Sequence, residues 1–196
     1  MPPRAHDRPD GRLAVTRAFL INQGLFQLAW PACVIGAAYG IFWTGLVVVG
    51  LLLLWQLNRR NRHPLDMRMI AVCLGLGFVL DTAWIQLGLL DYAMAWPASG
   101  FAPLWIMLLW VAVALVINHS MAAFKRRLVL LAVAGAIGSP LSYYAGSRFG
   151  AVEWLAPAWQ VILATGLSWA IVLPLLFWMA RDRAASSSSP KQVQPT

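Results

Sequence analysis

The sequence predicts an all-α polytopic membrane helical bundle with six transmembrane helices and both termini cytoplasmic. Three observations lead there. Of the 196 residues, 60% are hydrophobic and 11% are charged, against about 45–50% and about 25% in a soluble domain. The apolar residues gather into six runs, each near the ~20 residues that carry a helix across a bilayer. Fourteen of the fifteen Lys and Arg lie in the two tails or between alternate runs, and Arg148 stands alone on the opposite side. That alternation is what the positive-inside rule produces when both ends of the chain stay in the cytoplasm. Six spans leave only tails and short loops, which excludes a large soluble catalytic domain, so any chemistry comes from the spans or their edges.

Residues 1–18 are polar and Arg-rich, with Pro2, Pro3 and Pro9, and read as a disordered basic cytoplasmic tail. The first span covers about 19–38; Asn22, Gln23 and Gln27 interrupt the apolar stretch a signal peptide would need, so it is a mature helix. A Tyr39-Gly40 corner leads to the second span, about 41–57, the most uniformly apolar and therefore lipid-facing. A basic loop precedes the third span, about 69–90, and the fourth covers about 103–124. The fifth, about 128–146, carries Pro140 and a stripe of small residues, Ala132, Gly135, Ser139, Ser142 and Gly146, that predicts a central, tightly packed helix. The sixth covers about 158–180, and residues 181–196 form a Ser-rich cytoplasmic tail. Trp43, Trp96, Trp105, Trp154 and Trp159 then fall at the outer boundary and Trp55 and Trp178 at the inner one, as aromatic belts do.

Polar residues inside the apolar runs are expensive, so they nominate the site. Asp81 is the one charge deep in a span, about 18 Å from the cytoplasmic end at ~1.5 Å per residue. Ser139 and Ser168 share its level at about 17–18 Å, and Tyr143 lies about one turn further out. Pro140 removes a backbone donor and frees a carbonyl beside these hydroxyls. Asp81, Ser139, Ser142, Tyr143, Ser168 and Gln27 are therefore the candidate ligand-binding set of a small polar cavity. The alternative is a buried carboxyl that glues neighbouring helices, with Pro140 as a packing kink. Nearer the cytoplasm, Asn118, His119 and Asn22 are candidates for the mouth, with His119 either a general base or simply hydrogen-bonded. Asp81 and His119 differ by roughly 10–12 Å in depth, too far for a catalytic pair.

Other chemistries find no support. The positives read as loops against anionic lipid rather than as a nucleic-acid surface. Cys33 and Cys73 lack metal-ligand spacing, and their depths disfavour a disulfide, so they read as small apolar residues. No metalloprotease, nucleophile-elbow or phosphate-loop motif is present, nor a multi-His cluster, so no metal or cofactor is expected.

The run Phe26-Gln27-Leu28-Ala29-Trp30, Gly36-Ala37-Ala38, Asp81, Asn118-His119-Ser120, the segment from Gly138 to Gly146 and Leu173-Pro174-Leu175 together resemble the bacterial inner-membrane family termed domain of unknown function 2878. The resemblance covers about residues 22–180. It implies a multi-span protein of the bacterial inner membrane, supplies no activity, substrate or cofactor, and tilts the expectation towards lipids. With that tilt from the resemblance, the expected role is a binding or accessory component in envelope and lipid physiology. Membrane lipids are its partners, with a protein partner or a second copy as a further possibility. An acyl- or lipid-modifying enzyme using His119 or Asp81, a small proton-coupled transporter and a structural partner subunit stay open as alternatives.

Overall fold

The computed structural model describes residues 9–181, with side chains from Arg17 onward. Residues 1–8 and 182–196, where much of the two expected tails falls, lie outside the described residues. Six α-helices follow one another: α1 (Pro9–Ala38), α2 (Trp43–Gln56), α3 (Asp66–Gln86), α4 (Leu104–Ile117), α5 (Leu128–Phe149) and α6 (Ala158–Met179). Four segments are long and apolar enough to cross a membrane: Arg17–Ala38 in α1, and α3, α5 and α6 in full. The remaining two, α2 and α4, are apolar but have 14 residues each, about 21 Å of helix. Side chains such as Leu54 (75% exposed), Val79 (67%), Val129 (80%) and Ile171 (67%) cover the outside of four different helices. An apolar surface of that extent needs an apolar surrounding.

Several boundaries differ from the sequence-based expectation. Helix α3 begins at Asp66, which brings that acid into its first turn, and ends at Gln86. Just beyond, Gly88 adopts φ +65° and redirects the chain. It then enters β1 (Leu90–Tyr92), which pairs antiparallel with β2 (Val152–Trp154) in the register Leu90↔Trp154, Asp91↔Glu153 and Tyr92↔Val152. Helix α4 stops at Ile117 instead of continuing to residue 124, because Asn118 to Met121 turn into a short 3-10 segment, Ala122–Arg126.

The centre of the bundle is α4. It carries no charged or amide side chain, and Trp105, Ile106, Trp110 and every residue from Val111 to Ile117 except Val113 are buried. The expectation that the fifth span is the central one is thus corrected. In a bilayer both the interior and the surroundings are apolar, so hydrophobicity alone does not separate a buried helix from a lipid-facing one. Helix α5 instead buries Leu131, Gly135, Ser139 and Gly146 and exposes Val129, Val133, Ile137 and Leu141. Its small face allows α6 to approach closely: a Cβ on Gly135 would stand 2.3 Å from the Trp169 carbonyl oxygen. Helices α5 and α6 form one pair, while α1, α2 and α3 pack on or beside α4.

Candidate functional site

Asp81 is completely buried on the inward face of α3. Three donors converge on its two oxygens: the Tyr92 hydroxyl at 2.5 Å and the Tyr143 hydroxyl at 2.9 Å on Oδ1, and Trp110 Nε1 at 2.7 Å on Oδ2. They come from β1, α5 and α4, so one carboxylate ties three elements to α3. Trp110 reaches it because Gly77, one turn earlier on α3, leaves room for the indole; a Cβ there would lie 2.4 Å from the ring. Trp84 packs edge-on to Tyr143 and Trp110 stacks on Trp169, with centroids 5.2 and 4.8 Å apart. Tyr92 lies outside the helices, where burial first and then the neighbouring carboxylate push its phenol well above the ordinary value. It therefore stays protonated and donating.

Beside this knot, between the α5–α6 pair and the inward faces of α1 and α4, lies a cavity of about 370 Å³, within the range of about 300–1,000 Å³ typical of ligand pockets. On α4 its wall runs from Trp105 to Ile117, about 18 Å along the helix. The lining is mostly aliphatic and aromatic and contains no Asp, Glu, Lys or Arg; its polar side chains include Gln27, Ser139, Ser142 and Tyr143. Ser142 Oγ accepts from Trp30 Nε1 at 2.8 Å. Ser139 Oγ is buried with no hydrogen-bond partner, and Trp169 lies beside the Tyr143 hydroxyl. Gln27 on α1 and Ala134 and Gly138 on α5 are exposed members of the wall, so the cavity opens sideways along the α1–α5 seam.

A second polar cluster closes the end of the bundle where α2 finishes and α3 starts. His119 Nε2 lies 3.0 Å from both oxygens of Asp66, and Gln56 Nε2 lies 3.0 Å from His119 Nδ1. Since that amide nitrogen also donates to the Asn61 carbonyl and Gln56 Oε1 accepts from Asn22 Nδ2 at 2.6 Å, Nδ1 is the acceptor and Nε2 carries the proton given to Asp66. Asn118 donates to Asp66 and accepts from Lys125 Nζ at 2.7 Å, while Asn22 also donates to the Leu115 carbonyl. The Asp66 side chain also accepts from the His63 N–H at 2.8 Å. The chain of bonds joins α1, α2, α3 and α4. Both ring nitrogens of His119 are engaged within it, which leaves neither directed at a reacting atom. Among the described residues, no group of three His, Cys, Asp or Glu comes together to hold a metal ion.

The structure brings Gln27, Ser139, Ser142 and Tyr143 to the cavity wall and sets Asp81 behind it, screened by Trp110 and Tyr143. Ser168 is half-buried on α6 and lies outside the lining. The cavity is apolar rather than polar, and α4, not the α3 that carries Asp81, lines it alongside α1, α5 and α6. Asn118, His119 and Asn22 come together in the second cluster, where Asp66 is the acid beside His119. Asp66 was missed as a member because it sits in an Arg-rich loop; an acid three residues before an apolar run is a first-turn signal. Gln56, alone among apolar residues at the end of the second run, was a readable signal too. Tyr92 was not: three residues alternating buried and exposed are too short to show a strand.

Residues 19–175 match the family described as "Protein of unknown function (DUF2878)". No curated protein and no solved structure matches the chain.

Proposed function

We propose, from the premise that the chain belongs to the DUF2878 family, that it is a binding or accessory component of envelope lipid physiology that holds a long apolar molecule, such as a lipid acyl chain, inside the membrane. In this reading all six helices cross the bilayer of the bacterial inner membrane, with both termini in the cytoplasm. The observation that carries it is the cavity: about 370 Å³, walled by apolar side chains and free of charged ones. It extends about 18 Å, over half of a ~30 Å hydrocarbon core. A lateral opening at the α1–α5 seam admits a molecule directly from the bilayer. The Asp81 knot then holds the α5 side of the wall against α3 and α4, a positioning role that uses all three of its donors.

The test is lipid profiling of a deletion strain complemented, at matched protein level, with the native gene or with Gly138→Phe. Gly138 lines the cavity, and a Cβ there meets nothing within 4 Å, so a side chain can start there without a backbone clash. One lipid class changes on deletion and returns with the native gene only. A profile that deletion leaves unaltered contradicts the reading and favours a structural subunit.

A further inference from the structure

Helix offsets locate one level of the cavity where polar atoms gather. Trp30 hydrogen-bonds Ser142, 112 residues on, and Val34 comes within 4.0 Å of the Cβ position of Gly146 at the same offset. Helices α1 and α5 therefore run parallel in constant register there. One turn back, that register sets Gln27 against Ser139. Ser139 is 8% exposed, and its hydroxyl, in the cavity wall, has no partner. The Gln27 amide, at the opening, has no hydrogen bond among the described residues. Four residues beyond it stands Pro31, which has no N–H to give to the Gln27 carbonyl.

Unsatisfied polar groups in an apolar cavity are unfavourable unless something occupies them. We propose that this level is a polar station that hydrogen-bonds a neutral oxygen, a hydroxyl or a carbonyl, carried part-way along an otherwise apolar chain. Ser139 gives or accepts the central bond and Gln27 closes over it at the opening. The oxygen is neutral because no charged side chain lines the cavity to meet a carboxylate or phosphate. It lies part-way along because the wall continues in both directions, to Val34 and Trp105 on one side, where Ser142 and Tyr143 are already hydrogen-bonded within the protein, and to Ile117 and Phe177 on the other. The inference rests on the cavity reading above and names the class of molecule it takes: a long-chain lipid oxygenated within its chain.

The experiment titrates the purified full chain, by native mass spectrometry, with two probes: the methyl ester of a fatty acid hydroxylated at mid-chain, and the same ester without the hydroxyl. The native protein binds the hydroxylated ester about 5-fold more tightly, the worth of one net hydrogen bond. Ser139→Ala combined with Gln27→Leu abolishes that preference while still binding the plain ester, which shows that the variant is folded. Ser139→Ala alone, which removes an oxygen that bonds nothing in the protein, serves if the double variant is unstable. Equal binding of both esters by the native protein overturns the polar station and leaves the cavity reading standing. A preference that survives both substitutions overturns its assignment to these residues. Failure of either ester to bind overturns the cavity reading and the station with it.

Discussion

At the level of single residues, Asp81 and Ser139 present opposite cases of polarity inside an apolar bundle. Asp81 is fully satisfied by Tyr92, Tyr143 and Trp110, so replacing it by Asn turns an NH2 group towards donors and orphans at least one of them. Asp81→Asn is expected to destabilise the protein by about 1–3 kcal/mol, read as a lower unfolding midpoint in detergent. A double-mutant cycle with Tyr143→Phe should return a coupling energy of about 0.5–3 kcal/mol; a value of zero would show that the bond contributes nothing. Ser139 has no partner, so Ser139→Ala should leave the midpoint unchanged or raise it. Asp66→Asn turns an amide towards the N–H groups of His119, His63 and Asn118 and should cost about 1.5–3 kcal/mol in the same assay. Costly residues were legible in the sequence because an Asp, Asn or Gln stands out against an apolar run. Their partners were not, because Trp110 reads as packing until Gly77 is known to face it, and Asp66 reads as a loop residue until α3 is known to start there.

Among the helices, the informative contrast is between Gly135 and Gly138, three residues apart on α5. A Cβ on the first would meet the Trp169 carbonyl oxygen at 2.3 Å, a backbone atom that moves only with α6, whereas a Cβ on the second meets nothing within 4 Å. Gly135→Ala is therefore expected to cost about 1–3 kcal/mol by overpacking, and Gly138→Ala to stay within about 0.5 kcal/mol of native, both read from unfolding in detergent. Equal effects would place the α5–α6 contact elsewhere. The existence and order of the six helices were readable from run lengths and loop charges. Burial was not: α4 is central and α2 peripheral although both are uniformly apolar, since lipid and protein interior reward the same side chains. The end of α4 at Ile117 also escaped the apolar pattern, because Met121, Ala122 and Phe124 prolong the run after the helix has turned.

For the molecule as a whole, the gathering of 14 of the 15 Lys and Arg in the tails and alternate loops makes a directional statement. Alkaline phosphatase fused after Trp96 is expected to be active and fused after Arg127 inactive, and the reverse pattern would overturn the proposed orientation. The two units of the bundle, α1 to α4 on one side and the α5–α6 pair on the other, meet through the β1–β2 pair, the Asp81 knot and the bond from Arg181 Nε to the Lys125 carbonyl. The cavity occupies the space between them. The central claim is that this space holds one long apolar molecule. Native mass spectrometry of the protein released from mild detergent tests it most directly. The account predicts one long-chain molecule bound per chain in the native protein and its loss in Gly138→Phe. A bare chain mass, or a mixture of bulk lipids that the substitution leaves unchanged, would contradict it.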